Sequence, residues 1–328
     1  MSAILQVSEK MTVSLPPPDS PVWQEPWLCT YDTCPLDVFG QLIYRPSLAG
    51  NALFLALFAA GALAQLVLAI RYRTWGYLVA MAGGCVIEIV GYVGRIELWQ
   101  DDFNNNNFIV YLVGCTIAPA CFSAAIYLSL SRIILVYGKD ACRTNPRLIT
   151  MGFITCDVLS LCLQAAGGAL ASVANTHAQT QTGINIMIAG LSTQVASTFA
   201  FTLVCAWIAW FTRVNRPQLN QETYPLRHSF KFQYFLLAIG LSSVLILERC
   251  TFRVAELSRG FDGDIAQNQA LFMVLDGAAM IVVVLLLTTA HPGLTMSSGI
   301  WAAGAFRRLK NVGGGEFVTV EEVKNDTA

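Results

Sequence analysis

Acidic side chains interrupt several long apolar stretches of this sequence. The acids concerned are Glu88, Asp157, Glu248 and Asp276. An ionisable group inside such a stretch is costly, and it usually faces the interior of a helix bundle, a wet cavity or a ligand pathway. Because a carboxylate attracts a cation most strongly where water is excluded, these residues predict a site for a cationic group.

Arginines accompany the acids at helical spacing, which places them on shared helix faces. Arg95 follows Glu88 at i+7, and Tyr92 lies on the same face at i+4. Three further charged residues follow one another at i, i+4 and i+7: Arg249, Arg253 and Glu256. We expect these arginines, with Glu256 beside them, to be the charge partners of the acids when the site is empty.

Uncharged amides occur at the middle of two apolar stretches. Gln164 lies at i+7 from Asp157, and Gln194 lies in the next stretch. We therefore predict a polar chamber that opens toward the outer leaflet, with Asp157 and Gln194 at its floor. Its predicted binding residues are Glu88, Tyr92, Asp157, Gln164, Gln194, Glu248 and Asp276. The alternative is that these residues only join helices, with about 0.6 kcal/mol per polar contact.

The elements that must position these residues are membrane-spanning helices. Of the 328 residues, 55% are hydrophobic and 12% charged, against about 25% charged in a soluble domain. A bilayer core takes about 20 helical residues, and the sequence offers seven such segments: 48–70, 76–95, 108–132, 148–173, 184–210, 233–255 and 269–290. Glycines inside these segments, among them Gly83, Gly84, Gly167, Gly168 and Gly190, indicate close helix packing. The predicted fold class is an all-α integral membrane protein with a seven-helix bundle.

Lysine and arginine are concentrated in alternate connections, and this asymmetry predicts the orientation. The amino terminus is expected outside and the carboxyl terminus in the cytoplasm. Residues 1–47 would form an extracellular tail in which Cys29 and Cys34 form a disulfide, or alternatively remain free thiols. Residues 48–290 would form the membrane domain, and 291–328 a cytoplasmic tail. An interfacial helix is predicted over 299–310, with a docking site for a cytosolic partner as the alternative.

Several function classes are excluded by what the sequence lacks. A net charge of -1 argues against nucleic-acid binding. No lysine has a P-loop context, and no nucleophile-elbow motif occurs. His177, His228 and His291 fall on different sides of the predicted membrane, so they cannot share a zinc ion. We expect no catalytic residues, no metal, no cofactor and no enzyme activity.

Motifs in several helices resemble those of one family. They include Tyr44-Arg45-Pro46-Ser47 with Asn51, Glu88-x-x-Gly91-Tyr92-x-x-Arg95, Ala118-Pro119-Ala120 with Tyr127 and Arg132, and Asp157 before Gln164-x-x-Gly167-Gly168. Later motifs are Gly190-x-x-x-Gln194, Arg249-x-x-x-Arg253-x-x-Glu256, Asp276 with Met280, and His291-Pro292-Gly293. Taken in order over residues 44–293, they resemble the fungal lipid-translocating exporters, the RTA-like proteins named for resistance to aminocholesterol.

This resemblance implies a seven-span protein that exports or flips sphingoid bases and confers resistance to toxic lipids or drugs. One position departs from the pattern, because many relatives carry Glu where this chain has Gln269. Our hypothesis is that Glu88, Asp157, Glu248 and Asp276 accept the ammonium head of a cationic sphingoid base, while its chain stays in lipid.

Two other functions fit the same topology. Seven spans with a basic third inner loop also describe a receptor or sensor of lipid or stress signals, and topology alone does not separate the two. The segment Leu130-Ser131-Arg132-Ile133 lacks the acid-Arg-aromatic signature of rhodopsin-like receptors. A third hypothesis, besides transport and sensing, is a structural chaperone or stress protein that modifies other transporters. The expected location is the plasma membrane, and the sequence identifies no protein partner.

Overall fold

The computed structural model describes residues 15–17, 20, 22, 28–137, 146–174, 176–214, 223–258, 267–296, 309–313 and 316–319. Seven helices in this part are long and apolar enough to cross a membrane, which confirms the predicted class. The first six are α1 (Leu48–Tyr72), α2 (Trp75–Gln100), α3 (Asn105–Tyr137), α4 (Pro146–Ser172), α5 (His177–Val214) and α6 (Phe230–Ser258). The seventh, α7, runs over 269–289.

Most of these helices extend past the predicted spans. The 33 residues of α3 make a helix of about 50 Å at 1.5 Å per residue, whereas the hydrocarbon core is about 30 Å thick. Apolar composition detects only the portion within hydrocarbon, so the polar ends of the helices were not predicted.

The backbone of α7 changes helix type along its length. It is α-helical over Gln269–Leu271, π-helical over Phe272–Ala278 and α-helical again over Ala279–Thr289. Asp276 therefore lies in the π-helical segment. Such segments are rare and occur frequently at functional sites, and the residue pattern of this stretch did not predict one.

Glycines hold two antiparallel helix pairs in close contact. A Cβ on Gly91 of α2 would lie 3.0 Å from the backbone nitrogen of Cys115 in α3. A Cβ on Gly167 of α4 would lie 2.6 Å from the backbone nitrogen of Met187 in α5. Gly83 was predicted to pack in the same way, but a Cβ there would meet nothing within 4 Å. That part of the prediction was wrong, because it is the adjacent Gly84 that faces Phe122.

We call the end of the bundle where α1 and α7 begin the upper end, and the opposite end the lower end. At the lower end the Tyr77 hydroxyl donates to the Leu287 carbonyl at 3.0 Å, and Gln65 donates to Thr288 at 2.8 Å. The helix ends at Thr289, just before the His291-Pro292-Gly293 motif, and the chain then makes a single helical turn, Pro292–Thr295. These contacts join α7 to both α1 and α2.

A short hairpin follows the bundle, with β1 (Leu309–Gly313) antiparallel to β2 (Glu316–Thr319). The predicted interfacial helix over 299–310 falls mostly outside the described residues. Its last two positions, Leu309 and Lys310, are extended in β1.

Candidate functional site

Five charged side chains of α2, α6 and α7 are buried together in the upper half of the bundle. We call this set the charged cluster: Glu88, Arg249, Arg253, Glu256 and Asp276. Asp276 forms ion pairs with both arginines of the cluster. Its Oδ1 pairs with Arg249 Nε, and its Oδ2 lies 3.5 Å from Arg253 Nη2. Arg253 also donates to Glu256 one turn along, at 2.7 Å. The structure thus brings Arg249, Arg253 and Glu256 together with Asp276.

The position of Arg249 depends on a proline in the neighbouring helix. Its Nη2 donates to the backbone carbonyl of Cys115 in α3 at 2.6 Å. In a regular α-helix that carbonyl would accept from the residue four positions on, which here is Pro119 and has no N–H. The proline thus leaves a buried acceptor that the guanidinium satisfies.

Glu88 is an acid of the charged cluster in which one oxygen has neither an ion pair nor a hydrogen-bond partner among the described residues. Its side chain is 2% exposed, and Oε1 has no hydrogen-bond partner among the described residues. It interacts electrostatically with Asp276, Arg249 and Arg253. A buried carboxylate oxygen without a donor is an open position for a cation or a hydroxyl group.

The contacts of Arg95 differ from those predicted for it as a partner of the acids. Within the described part of the chain it forms no ion pair, and its Nη2 donates to the Tyr44 hydroxyl at 3.1 Å. Its guanidinium carbon lies 3.8 Å from the centre of the Phe272 ring and 4.7 Å from that of Tyr111. Two turns above Glu88, Arg95 reaches the aromatic rings and residue 44 instead of the carboxylates.

Residues 28–47 pack against the upper end of the bundle, and we call this segment the cap. Its Cys29 and Cys34 form a disulfide that is buried against Phe103. The Arg45 guanidinium lies between the rings of Tyr31 and Trp99, at 4.5 and 4.4 Å. The described part of the predicted tail is therefore docked on the bundle.

Asp102, in the connection between α2 and α3, fastens the cap. Its Oδ2 accepts from the Leu42 amide at 3.0 Å, and its carbonyl accepts from the Gln41 amide. Burial raises the pKa of this carboxyl from 3.8 to about 7, although the Leu42 amide and the positive charge of Arg95 favour its ionised form. Asp102 was not among the predicted site residues.

A second buried group lies deeper, among α3, α4 and α5, and we call it the polar cluster: Tyr127, Asp157, Gln164 and Gln194. The Tyr127 hydroxyl donates to Asp157 Oδ2 at 2.9 Å, and Gln164 Nε2 donates to Gln194 Oε1 at 3.0 Å. Asp157 Oδ1 and Gln164 Oε1 have no partner among the described residues. Tyr127 was not among the predicted binding residues.

Cys250 of α6 is influenced electrostatically by residues of both clusters. It interacts electrostatically with Arg249 and Asp276 of the charged cluster and with Asp157 of the polar cluster. Glu248 acts on the same cysteine but is only partly buried. It continues the exposed stripe of Leu237, Leu241 and Val244 at helical spacing, so the structure places Glu248 on the outer face of α6.

The predicted open chamber is closed in this structure. Glu88, Asp276 and Arg249 are each 2% exposed, because the cap covers the upper end and the ion pairs fill the interior. A small cavity lies between the cap and the pair of Arg253 and Glu256, with room for about one water molecule. The described residues contain no group of three metal-ligating side chains.

Sequence reasoning missed the aromatic part of the site. Tyr111 and Phe272 lie beneath both Arg95 and Arg253. Buried aromatic residues are common in membrane helices, so the residue types of Tyr111 and Phe272 alone did not indicate a functional role. Asn51, fully buried in α1 with both amide atoms unpartnered in the described part of the chain, was noted only as a motif residue.

Comparison with known proteins extends over most of this bundle. Residues 81–298 match the family model described as RTA1 like protein. Similar proteins include the sphingoid long-chain base transporter RSB1 of Saccharomyces cerevisiae, which is 30% identical over an alignment of 257 residues that covers 69% of this chain and 67% of the relative.

Two other proteins of that yeast are also similar. Protein RTA1 is 28% identical over 281 residues, covering 78% of this chain and 86% of its own. Protein RTM1 is 30% identical over 218 residues, covering 64% and 65%. No solved structure matches this chain.

Proposed function

The chain belongs to the RTA1-like protein family, and from that premise we propose that it moves sphingoid long-chain bases or closely related amphiphiles across the bilayer. The single observation that carries this proposal is the buried charged cluster, in which arginines occupy Asp276 while Glu88 keeps an unpaired oxygen. The names of the relatives favour transport over the sensing alternative.

The ion pairs suggest how a cationic head group is accepted. An ammonium group can take the position of an arginine at a carboxylate, because both are cations that donate several hydrogen bonds. Inside the bundle it would bind Glu88 and compete with Arg249 for Asp276. When the ammonium group pairs with Asp276, the displaced Arg249 can pair with Glu88, so the three acids of the charged cluster balance its two arginines and the ammonium group and no isolated charge is left in the low-dielectric interior.

The remaining acids, Glu248 and Asp157, extend this site toward the lipid and toward the middle of the bundle. Glu248 lies at the outer face of α6, where a head group arriving from lipid would encounter it. Asp157, with Gln164 and Gln194, would receive the head group deeper in the bundle. The hydrocarbon chain of the base would remain in the bilayer, where it costs nothing to solvate.

The test is transbilayer movement in liposomes that contain only the purified protein. We expect faster movement of a fluorescent phytosphingosine, but not of a fluorescent phosphatidylcholine, and at least a tenfold slower rate for Glu88→Gln. Glu97→Gln is the matched control, since Glu97 is an exposed acid on the same helix. Equal rates for wild type, Glu88→Gln and protein-free liposomes would refute the proposal.

We also propose that the upper end faces the cell exterior and that the protein resides in the plasma membrane. The cap disulfide supports this orientation, because disulfides persist in oxidising compartments. A membrane-impermeant maleimide should label Asn105→Cys at the upper end of intact cells but not Lys231→Cys at the lower end. The reverse labelling pattern would overturn the orientation.

A further inference from the structure

Within the described part of the chain, three buried side chains near the π-helical segment of α7 lie outside the ion pairs of the charged cluster and have polar atoms without hydrogen-bond partners. They are the Oε1 atom of Glu88, the Nε and Nη1 atoms of Arg95, and both amide atoms of Asn51. Each residue is at most 2% exposed. Leaving a buried polar group unpaired typically costs about 1–3 kcal/mol. So many unpaired groups in one region therefore require an explanation beyond helix packing.

Contacts along α1 place Asn51 beside the same segment. A Cβ on its neighbour Gly50 would touch the Met273 side chain. One turn further, the Phe54 ring lies 5.4 Å from the Tyr92 ring and faces Gly277. Asn51 lies in the chain between Gly50 and Phe54 and is fully buried, so it belongs to the part of α1 that packs against the π-helical segment.

Tyr92 lies between α1, which carries Asn51, and the other two residues with unpaired atoms, Glu88 and Arg95. Its side chain interacts electrostatically with Glu88, Asp276 and Arg95, and its ring packs on α1. A head group bound beside Tyr92 would therefore lie within electrostatic range of the Glu88 carboxylate and the Arg95 guanidinium, next to α1, the helix that carries Asn51.

The chemistry of the three groups specifies complementary ligand groups. Ionised Glu88 only accepts hydrogen bonds, Arg95 only donates them, and Asn51 does both. An ammonium group alone would satisfy Glu88 and leave Arg95 and Asn51 unpaired. Hydroxyl groups close to the nitrogen would accept from Arg95 and exchange hydrogen bonds with Asn51.

We propose that Asn51 and Arg95 form a hydroxyl-recognising subsite next to the cation position at Glu88, so that the protein selects hydroxylated amine lipids over plain alkylamines. This inference rests on the proposed transport of cationic lipids. It assigns Asn51 and Arg95 to substrate specificity and Glu88 to charge. A site built to hydrogen-bond a substrate hydroxyl rejects the analogue that lacks it, because the polar groups of the protein then stay unpaired.

Two fluorescent probes of equal chain length test the subsite in liposomes: an ω-labelled sphinganine, and an ω-labelled alkylamine without hydroxyl groups. After subtraction of the rate in protein-free liposomes, wild type should move the sphinganine roughly tenfold faster, as one or two hydrogen bonds would give. Asn51→Leu, which preserves approximate shape, should bring this ratio close to one by slowing only the sphinganine.

Further variants separate a specificity role from a structural one. Arg95→Lys keeps the charge and loses the planar fork of donors, so it should also lower the ratio. Glu88→Gln should slow both probes and leave their ratio nearly unchanged. A misfolded variant would instead lose both rates, and size-exclusion chromatography identifies such a case.

The outcomes distinguish this inference from the proposed function. If wild type moves both probes at equal rates, the subsite is refuted while transport stands. The same holds if Asn51→Leu and Arg95→Lys both keep the wild-type ratio. If a sphinganine 1-phosphate probe moves fastest, Arg95 recognises a phosphate and the subsite is also refuted. Movement of neither probe would overturn both proposals.

Discussion

The charged cluster and the polar cluster are buried in the same bundle, but the backbones that carry them differ. The charged cluster depends on two irregularities: Pro119, which frees the Cys115 carbonyl, and the π-helical segment that carries Asp276. Asp157, Gln164 and Gln194 of the polar cluster lie on α4 and α5, which are in backbone contact at Gly167. The buried ion pairs therefore occur beside the irregular backbone, and the pair of α4 and α5 serves as their scaffold.

This difference has a physical reason. A guanidinium can satisfy a carbonyl that a helix leaves free, and a regular helix leaves no such carbonyl in its interior. Charged side chains then replace backbone hydrogen bonds, and a cationic ligand can compete for them. Amide pairs such as Gln164 and Gln194 offer no comparable exchange.

The largest expected effect follows from removing the central cation. Arg249→Ala would leave Asp276 with only the longer contact to Arg253, and it would leave the Cys115 carbonyl unpaired. Breaking a buried pair in this way costs about 3–5 kcal/mol. Unfolding by SDS in mixed micelles measures the change. Arg213→Ala, at an exposed arginine of α5, is the control and should be nearly neutral.

A result for Arg249→Ala within 1 kcal/mol of the Arg213→Ala control would contradict the view that charge holds the upper half together. The double variant Arg249→Ala/Asp276→Ala should be more stable than Arg249→Ala alone, because it leaves no uncompensated acid at this position.

The next effect concerns the scaffold. In Gly167→Val the new Cβ would lie 2.6 Å from the Met187 nitrogen and 2.7 Å from the Gly183 carbonyl oxygen, so α4 and α5 must separate. Overpacking of this kind costs about 1–3 kcal/mol. Gly168→Ala is the control on the next residue, where a Cβ meets only the Met187 sulfur at 3.8 Å. Equal unfolding curves for the two variants would show that the helices are not held at this contact.

A smaller effect is expected at the junction between the cap and the bundle. Because the folded pKa of Asp102 is raised to about 7 from 3.8, its contribution to cap stability is complete below about pH 4. That contribution is lost as the pH rises through 7, since ionisation is then more costly in the folded state. Hydrogen-exchange protection of residues 28–47, corrected for intrinsic rates, should be higher at pH 5 than at pH 8.

Asp102→Asn supplies the matching control, because the amide cannot ionise. Its protection should vary less with pH than that of wild type. An equal pH dependence in both proteins would assign the effect to another group.

Much of the fold could be predicted from the residues, because apolar length determines the number of membrane spans. The charge partners Arg249, Arg253 and Glu256 could also be predicted, since i, i+4 and i+7 spacing fixes a helix face. Arg95 could not be placed correctly by the same rule. Periodicity orients a side chain around its own helix, but it does not reveal that Tyr44 and Phe272 come from elsewhere to meet it.

Other features lie outside what a single helix pattern encodes. The π-helical segment of α7 changes the register by less than one turn, and no residue type in Phe272–Ala278 requires it. The docked cap depends on contacts between distant segments, such as Tyr31 with the Leu98 carbonyl at 2.7 Å. By contrast, Pro119 was visible in the sequence, and its free carbonyl at Cys115 could have been predicted from it.

The smallest expected effect separates the two clusters most directly. Gln194→Leu removes the acceptor for Gln164 Nε2, and polar contacts between membrane helices contribute about 0.6 kcal/mol. Sphingoid-base movement should slow by only about twofold, as the loss of one weak hydrogen bond would give. Gln181→Leu is the control, because Gln181 makes a similar but exposed bond to Asn185 on the same helix. If Gln194→Leu destabilised the protein as much as Arg249→Ala, the polar cluster would be as essential as the charged one, and the distinction between scaffold and exchange site would fail.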